Sequence, residues 1–156
     1  MKGETYDIIG RKTFHINEIE LVPFGIEHIF KILKWRNEQI TYLRQSEPIT
    51  SDEQIKYYNE VVKPGFKDKL PKQLLFSIIE QEKLIGYGGL VHIDWKNKNA
   101  EISFLLATKI FENHLMYYNK FNLFLTLIQQ VAKTVQLHKI FTYGYGITSY
   151  RFAPLE

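Results

Sequence analysis

Groups able to move a proton lie close together in "GLVHIDWKNKNAEIS", residues 89 to 103. His92 and Asp94 are two residues apart, so an extended strand projects both from one face. That arrangement fits either a general base beside its orienting carboxylate or a plain exposed strand pair. Glu101 and Ser103 stand in the same relation on the next extended run. Arg36, at the close of a helical stretch, fits either an acidic acceptor group or a local carboxylate at a helix C-terminus. Tyr57 and Tyr58 either flank a cleft or cover a helix's apolar face. The remaining histidines, His15, His28, His114 and His138, show no metal-ligand spacing, and no metal is expected. Cysteine is absent, which excludes disulfides, zinc–thiolate centres and cysteine nucleophiles.

The elements that must position these groups can be taken in chain order. "TFHINEIELVPF" (13–24) has extended character and leads into Gly25. In "IEHIFKILKWRN" (26–37), Ile26, Ile29, Phe30 and Leu33 recur at helical spacing and predict one apolar face. Ser51, followed three residues later by Gln54, predicts a capped helix start, and Pro64-Gly65 its end. A meander follows in "LLFSIIE" (74–80), "LIGYGGLVHID" (84–94) and "AEISFLL" (100–106). In the last of these, Ile102, Phe104 and Leu106 face one side, and Glu101, Ser103 and Leu105 the other. Gly86, Gly88 and Gly89 predict a bulge or a close backbone approach. The next helix is the most strongly patterned stretch. It aligns Phe121, Phe124, Leu125, Ile128, Val131, Ala132 and Val135, with Leu123 and Leu127 widening the face. "LHKIFTYGYG" (137–146) reads as a strand and "TSYRFAPLE" as the start of a helix. The sum is a mixed α/β (α+β) domain with a mostly antiparallel sheet, flanking helices and one strand–helix–strand crossover.

The bulk properties bound the function. A chain of 156 residues with ordinary apolar and charged fractions suits one domain over 1–156. A formal net charge of +3, scattered along the chain, gives no reason to expect nucleic acid. No apolar run is long enough to span a bilayer, and "MKGETYDIIG" lacks a signal peptide's apolar core. The expectation is therefore a cytoplasmic protein with no membrane partner.

This order of elements resembles the GNAT fold of acetyl-CoA-dependent N-acetyltransferases. "ILKWRNEQI" with "SEPITSDEQIKYY" is similar to the opening of the branch that includes ribosomal-protein and amino-sugar acetyltransferases. "KLIGYGGLVHIDWKNKNAEISFLL" is similar to that branch's second to fourth strands, and "VQLHKIFTYGYG" to its fifth. The resemblance runs from about residue 13 onward. It implies acetyl-CoA as co-substrate and direct attack of a primary amine on the thioester. Orientation then does much of the work, and a base takes the amine proton. It also implies that the fourth family strand splays from the fifth, so that Phe104, Leu105, Leu106 and Ala107 line the pantetheine arm. Glu101, beside that cleft, is the implied general base, against the reading of a strand carboxylate or ion-pair partner. Tyr143 and Tyr145 are candidates for the acid or for the acceptor wall, or else pack on the sheet. Arg36, Tyr57 and His92 are the candidate acceptor contacts.

Two departures from the family stand out. Its pyrophosphate loop runs Gln or Arg, two residues, Gly, one residue, Gly or Ala. Counting back from the fifth strand puts "LMYYNK" (115–120) there, with Tyr118 and Lys120 at the small positions. Glycine in such a loop lets amides approach an anion. The expectation is that the helix N-terminus, with Tyr118, Asn119 and Lys120, takes the pyrophosphate instead. The family also continues past "LE" with two more strands, and often has an Asn near Thr148 and a Tyr near Leu155. Either the sequence stops short or a second copy covers an open sheet edge, as in a homodimer. The expected activity is acetyl transfer to an amino sugar or a nucleotide-linked amino sugar. The alternatives are protein N-terminal acetylation and an inactive binding or oligomerising GNAT-like domain.

Overall fold

The computed structural model describes residues 5–10, 12–40 and 47–142. Within them one sheet of six strands runs in the order β1-β2-β3-β4-β5-β6. The segment expected to be one strand is a hairpin of β1 (Phe14–Ile16) and β2 (Ile19–Pro23), turned at Asn17 with φ 54°. Asparagine enters the left-handed region at little cost, which is the turn signal the extended reading passes over. The meander is as expected: β3 (Leu74–Glu80), β4 (Lys83–Asp94) and β5 (Asn99–Leu106), all antiparallel. Gln81 and Glu82, both at positive φ, make the tight β3–β4 turn. After a helical crossover, β6 (Lys139–Phe141) pairs with β5 in parallel.

Gly25 leads through a 3₁₀ turn (Ile26–His28) into α1 (Ile29–Glu38). The face that α1 buries carries Ile29, Ile32 and Leu33, while Ile26 and Phe30 are exposed, contrary to the sequence expectation. The tighter 3₁₀ turn takes Ile26 out of phase with the α-helix that follows. Next, α2 (Ser51–Tyr57) runs through a π turn (Tyr58–Val62) into α3 (Lys63–Gly65). Its capping box lies one residue earlier than expected: Thr50 Oγ1 accepts from the Glu53 amide, and the Glu53 carboxylate accepts from the Thr50 amide. Gln54, released from that role, is buried.

A short α4 (Thr108–Phe111) precedes α5 (His114–Thr134), which covers one face of the sheet. Phe121, Phe124, Leu127, Ile128 and Val131 are its buried line, with Leu127 at the centre and Leu125 only partly covered. The ring of Phe104 lies 5.0 Å from that of Phe121 and 4.7 Å from that of Phe124. A β-carbon on Gly88 would come within 3.0 Å of Phe124, so that position must stay bare. Gly88 and Phe104 thus face α5, and by alternation Tyr87, Gly89, Ser103 and Leu105 face the α1–α2 side. Gln136, at φ 64°, ends α5: the Leu137 amide reaches back to Ala132 and its own amide to Lys133. Tyr143, Tyr145 and the expected C-terminal helix lie outside the described residues.

Candidate active site

Two residues of β4, His92 and Ile93, stand opposite one of β5, because the ladder passes from Val91–Glu101 directly to Asp94–Asn99. Such a bulge re-aims side chains. His92 itself takes φ 50°, an uncommon conformation for histidine. The bulge breaks the alternation that would pair His92 with Asp94. Asp94 instead accepts from the Asn97 amide at 3.0 Å and its side-chain amide at 2.8 Å. Those bonds, the backbone one first, hold its carboxyl below the usual range. His92 Nδ1 lies 2.9 Å from Glu101 Oε1. The Glu101 side chain is 7% exposed and that of His92 72%. The carboxylate that His92 meets comes from the neighbouring strand, which no spacing within one strand reveals.

The edge expected to carry the pantetheine arm can be derived from the ladder. The Ala107 amide donates to the Ile85 carbonyl at 2.8 Å, and Leu106 and Phe104 stand opposite Gly86 and Gly88. Antiparallel alternation then turns the N–H and C=O of Phe104 and Leu106 away from β4. Among the described residues β6 pairs only with Asn99–Glu101, so this edge runs beyond β6. The backbone groups of Leu105 belong to the β4 ladder and the Ala107 amide to Ile85, so those two donors do not serve the edge. The Leu106 carbonyl accepts from Gln39 Nε2 at 2.7 Å. Gln39 is a buried side chain at the end of α1 that sequence reasoning did not single out. What remains outward is the amide and carbonyl of Phe104 and the amide of Leu106. These fit the amides of an extended pantetheine arm.

The expected pyrophosphate position is different in kind. Asn113 caps α5, its side-chain oxygen accepting from the Met116 amide at 3.1 Å. The helix therefore starts at His114, and Tyr118, Asn119 and Lys120 lie in its second turn rather than in a loop. Without glycine, nothing in "LMYYNK" interrupts the helix. Their amides serve the helix, and Lys120 Nζ is ion-paired with Glu80 on β3. The Tyr118 ring lies near His114 and Tyr117. Tyr117, absent from the expected set, closes over Phe104 and Phe111.

On the α1–α2 side, burial pushes the Tyr87 phenol up, and the charge of the nearby Arg36 guanidinium opposes that push. Tyr87 and Tyr58 both pack on Phe24, with centroids 5.1 and 5.8 Å away. The Tyr57 hydroxyl accepts from Gln73 Nε2 at 2.7 Å. Buried Gln54 Nε2 has no hydrogen-bond partner among the described residues. Three cross-strand rows share this face: Tyr87 with Leu105, Gly89 with Ser103, and Val91 with Glu101. On β4 and β5 the middle row carries no large side chain, and Leu75 of β3 borders this low stretch of floor. Arg36 with Tyr87 at one end and Glu101 with His92 at the other are four residues apart, about 13 Å at strand rise. The structure thus sets Arg36, Tyr57, His92 and Glu101 on one face. Among the described residues no group of three or more His, Asp or Glu side chains could hold a metal, and no helix is long and apolar enough to cross a membrane.

A family model described as an acetyltransferase (GNAT) domain matches residues 28–143. Among solved structures, the spermidine N-acetyltransferase of Vibrio cholerae in complex with CoA and spermine superposes with a TM-score of 0.62 at 19% identity. That match covers 81% of this chain and 71% of the other. A probable GNAT-family acetyltransferase of Chromobacterium violaceum gives 0.59 at 12% identity, covering 83% and 67%. No curated protein sequence matches this chain.

Proposed function

The chain belongs to the GNAT acetyltransferase family, and on that premise we propose that it acetylates the primary amine of a small amino sugar, free or nucleotide-linked. Acetyl-CoA is the co-substrate and supplies the thioester carbonyl. The observation that carries the reading is the floor of Gly89 and Ser103, with a proton-accepting pair at one end and a cation at the other. The outward backbone groups of Phe104 and Leu106 bind and align the arm. Arg36 holds an anionic group of the acceptor, such as a phosphate, and the ring of Tyr57 lies along a sugar face. The amine nitrogen bonds to the carbonyl carbon, the carbon–sulfur bond breaks, and the amine proton passes to the Glu101–His92 pair. CoA leaves as the thiolate and takes up a proton. Holding amine and thioester together removes most of the entropic barrier.

Polyamine acetylation is the second reading, favoured by the fold shared with the Vibrio cholerae enzyme. Arg36 opposes it, since a polycation would meet a guanidinium on this face. Calorimetric titration with acetyl-CoA comes first, followed by thiol release with four acceptors. These are a nucleotide-linked amino sugar, glucosamine 6-phosphate, spermidine and a peptide with a free N-terminus. Turnover of either sugar, weakened about tenfold or more in KM by Arg36→Leu, is the expected result. Preference for spermidine or the peptide replaces the substrate class. Acetyl-CoA binding without any turnover favours an inactive binding domain.

A further inference from the structure

We propose that His92, not Glu101, is the catalytic base of this enzyme, and that Glu101 is the positioning residue that fixes the imidazole. The proposal rests on the acetyltransferase reading above and assigns the proton acceptor within it.

Three observations converge. With Glu101 ionised, its carboxylate has no proton to donate, and the 2.9 Å contact is made by Nδ1–H of His92 donating to Glu101 Oε1. That leaves Nε2 with the lone pair, directed away from the carboxylate. Exposure then separates the roles: the Glu101 side chain is 7% exposed, while that of His92 is 72% exposed and open to an incoming amine. Third, the backbone holds this geometry at a cost. His92 sits at φ 50° inside a bulge, and without the bulge its side chain would alternate to the face of Gly88 and Leu90. Strain and bulges of this kind are kept where they aim a functional group. An ordinary surface histidine needs neither.

The division of labour follows from elementary chemistry. Nε2 takes the amine proton as the carbon–nitrogen bond forms, and the resulting imidazolium is stabilised by the Glu101 carboxylate without proton transfer to it. The charged side chains nearest in chain register come from each adjoining element. Asp94 on β4 is occupied by Asn97, Lys72 belongs to the loop whose carbonyl takes the Ile93 amide, and Lys139 lies on β6 two residues before Phe141. Neither lysine supplies a competing base while protonated.

The test separates the two assignments by their pH signatures. Thiol release from acetyl-CoA is followed against pH with the panel acceptors named above, for the whole chain and for His92→Asn, Glu101→Gln and Asp94→Asn. His92→Asn is expected to lower kcat/KM about 100-fold or more and to remove the acid limb of the profile. Glu101→Gln is expected to lower it about tenfold while keeping the limb, because the imidazole loses the acceptor that fixes its tautomer. Asp94→Asn leaves the profile in place. Loss of the limb in Glu101→Gln with its retention in His92→Asn overturns the proposal in favour of direct attack by the carboxylate. Failure of the chain to turn over any of the four amines counts against the acetyltransferase substrate reading. Nitrogen-15 spectra of the histidine rings then decide the pair by itself. A His92 ring protonated at Nε2, or one indifferent to Glu101→Gln, overturns the proposal, and an Nδ1–H form that depends on Glu101 sustains it.

Discussion

Lys120→Met decides whether the lysine at the family's small-residue position serves a phosphate or the sheet. In the structure its ammonium is ion-paired with Glu80, with side chains 18% and 24% exposed. An exposed ion pair contributes about 0–1 kcal/mol, whereas removing one member of a fully buried pair costs about 3–5. The half-buried Glu80 carboxylate left alone should sit between these limits, at about 1–3 kcal/mol. For a chain of this length each kcal/mol moves Tm by roughly 2–4 °C, so a fall of roughly 2–12 °C is expected. Circular dichroism melts of wild type, Lys120→Met, Glu80→Gln and the double variant measure it. The double variant should be more stable than the sum of the singles predicts, because neither change then strands a charge. Acetyl-CoA affinity by calorimetry should change by less than about twofold. An unchanged Tm with an affinity loss of about tenfold or more would refute this placement and return Lys120 to the cofactor.

Other expectations follow from particular contacts. Gln39→Leu keeps the volume but leaves the Leu106 carbonyl without its donor, so denaturant titration should show a loss of about 1–3 kcal/mol. Thr50→Ala should cost about 1 kcal/mol in the same assay and Ser51→Ala almost nothing, which tests the position of the capping box. Burial, foremost, holds the His28 imidazole below the ordinary histidine value of about 6.5, with Nδ1 2.7 Å from Ser77 Oγ. The unfolded chain therefore binds this proton first. Stability should be present in full above about pH 6.5 and fall as pH drops from there toward the folded value, and His28→Gln should flatten that slope in pH-dependent melts.

The sequence carried the sheet more faithfully than the site, for a physical reason. Burial on both faces of β3 and the single apolar stripe of α5 are properties of one segment, written in its own periodicity. The meander bounds and the buried line through Phe121, Phe124, Ile128 and Val131 could therefore be read directly. The errors at Asn17 and Thr50 are local too, since a positive φ or a cap is fixed by one residue and its neighbours. The site differs because its contacts join segments. Gln39 meets Leu106 across 67 residues and Lys120 meets Glu80 across 40. Neither pairing leaves a mark in the periodicity of either partner.

The glycine-free stretch from Leu115 to Lys120 shows the limit most clearly. Residue types alone could say that a glycine loop is missing, and they imply a lysine free to meet a phosphate. They do not say that Asn113 starts the helix early enough to turn the same lysine onto Glu80. The His92–Asp94 spacing misled in the same way: alternation placed the two side chains on one face, and a single extra residue in β4 gave the histidine to Glu101 instead. A bulge has no strong sequence signature when the residue at positive φ is not glycine. The direction of the His92 side chain is thus encoded in the mismatch between two strands, a quantity that neither strand contains by itself.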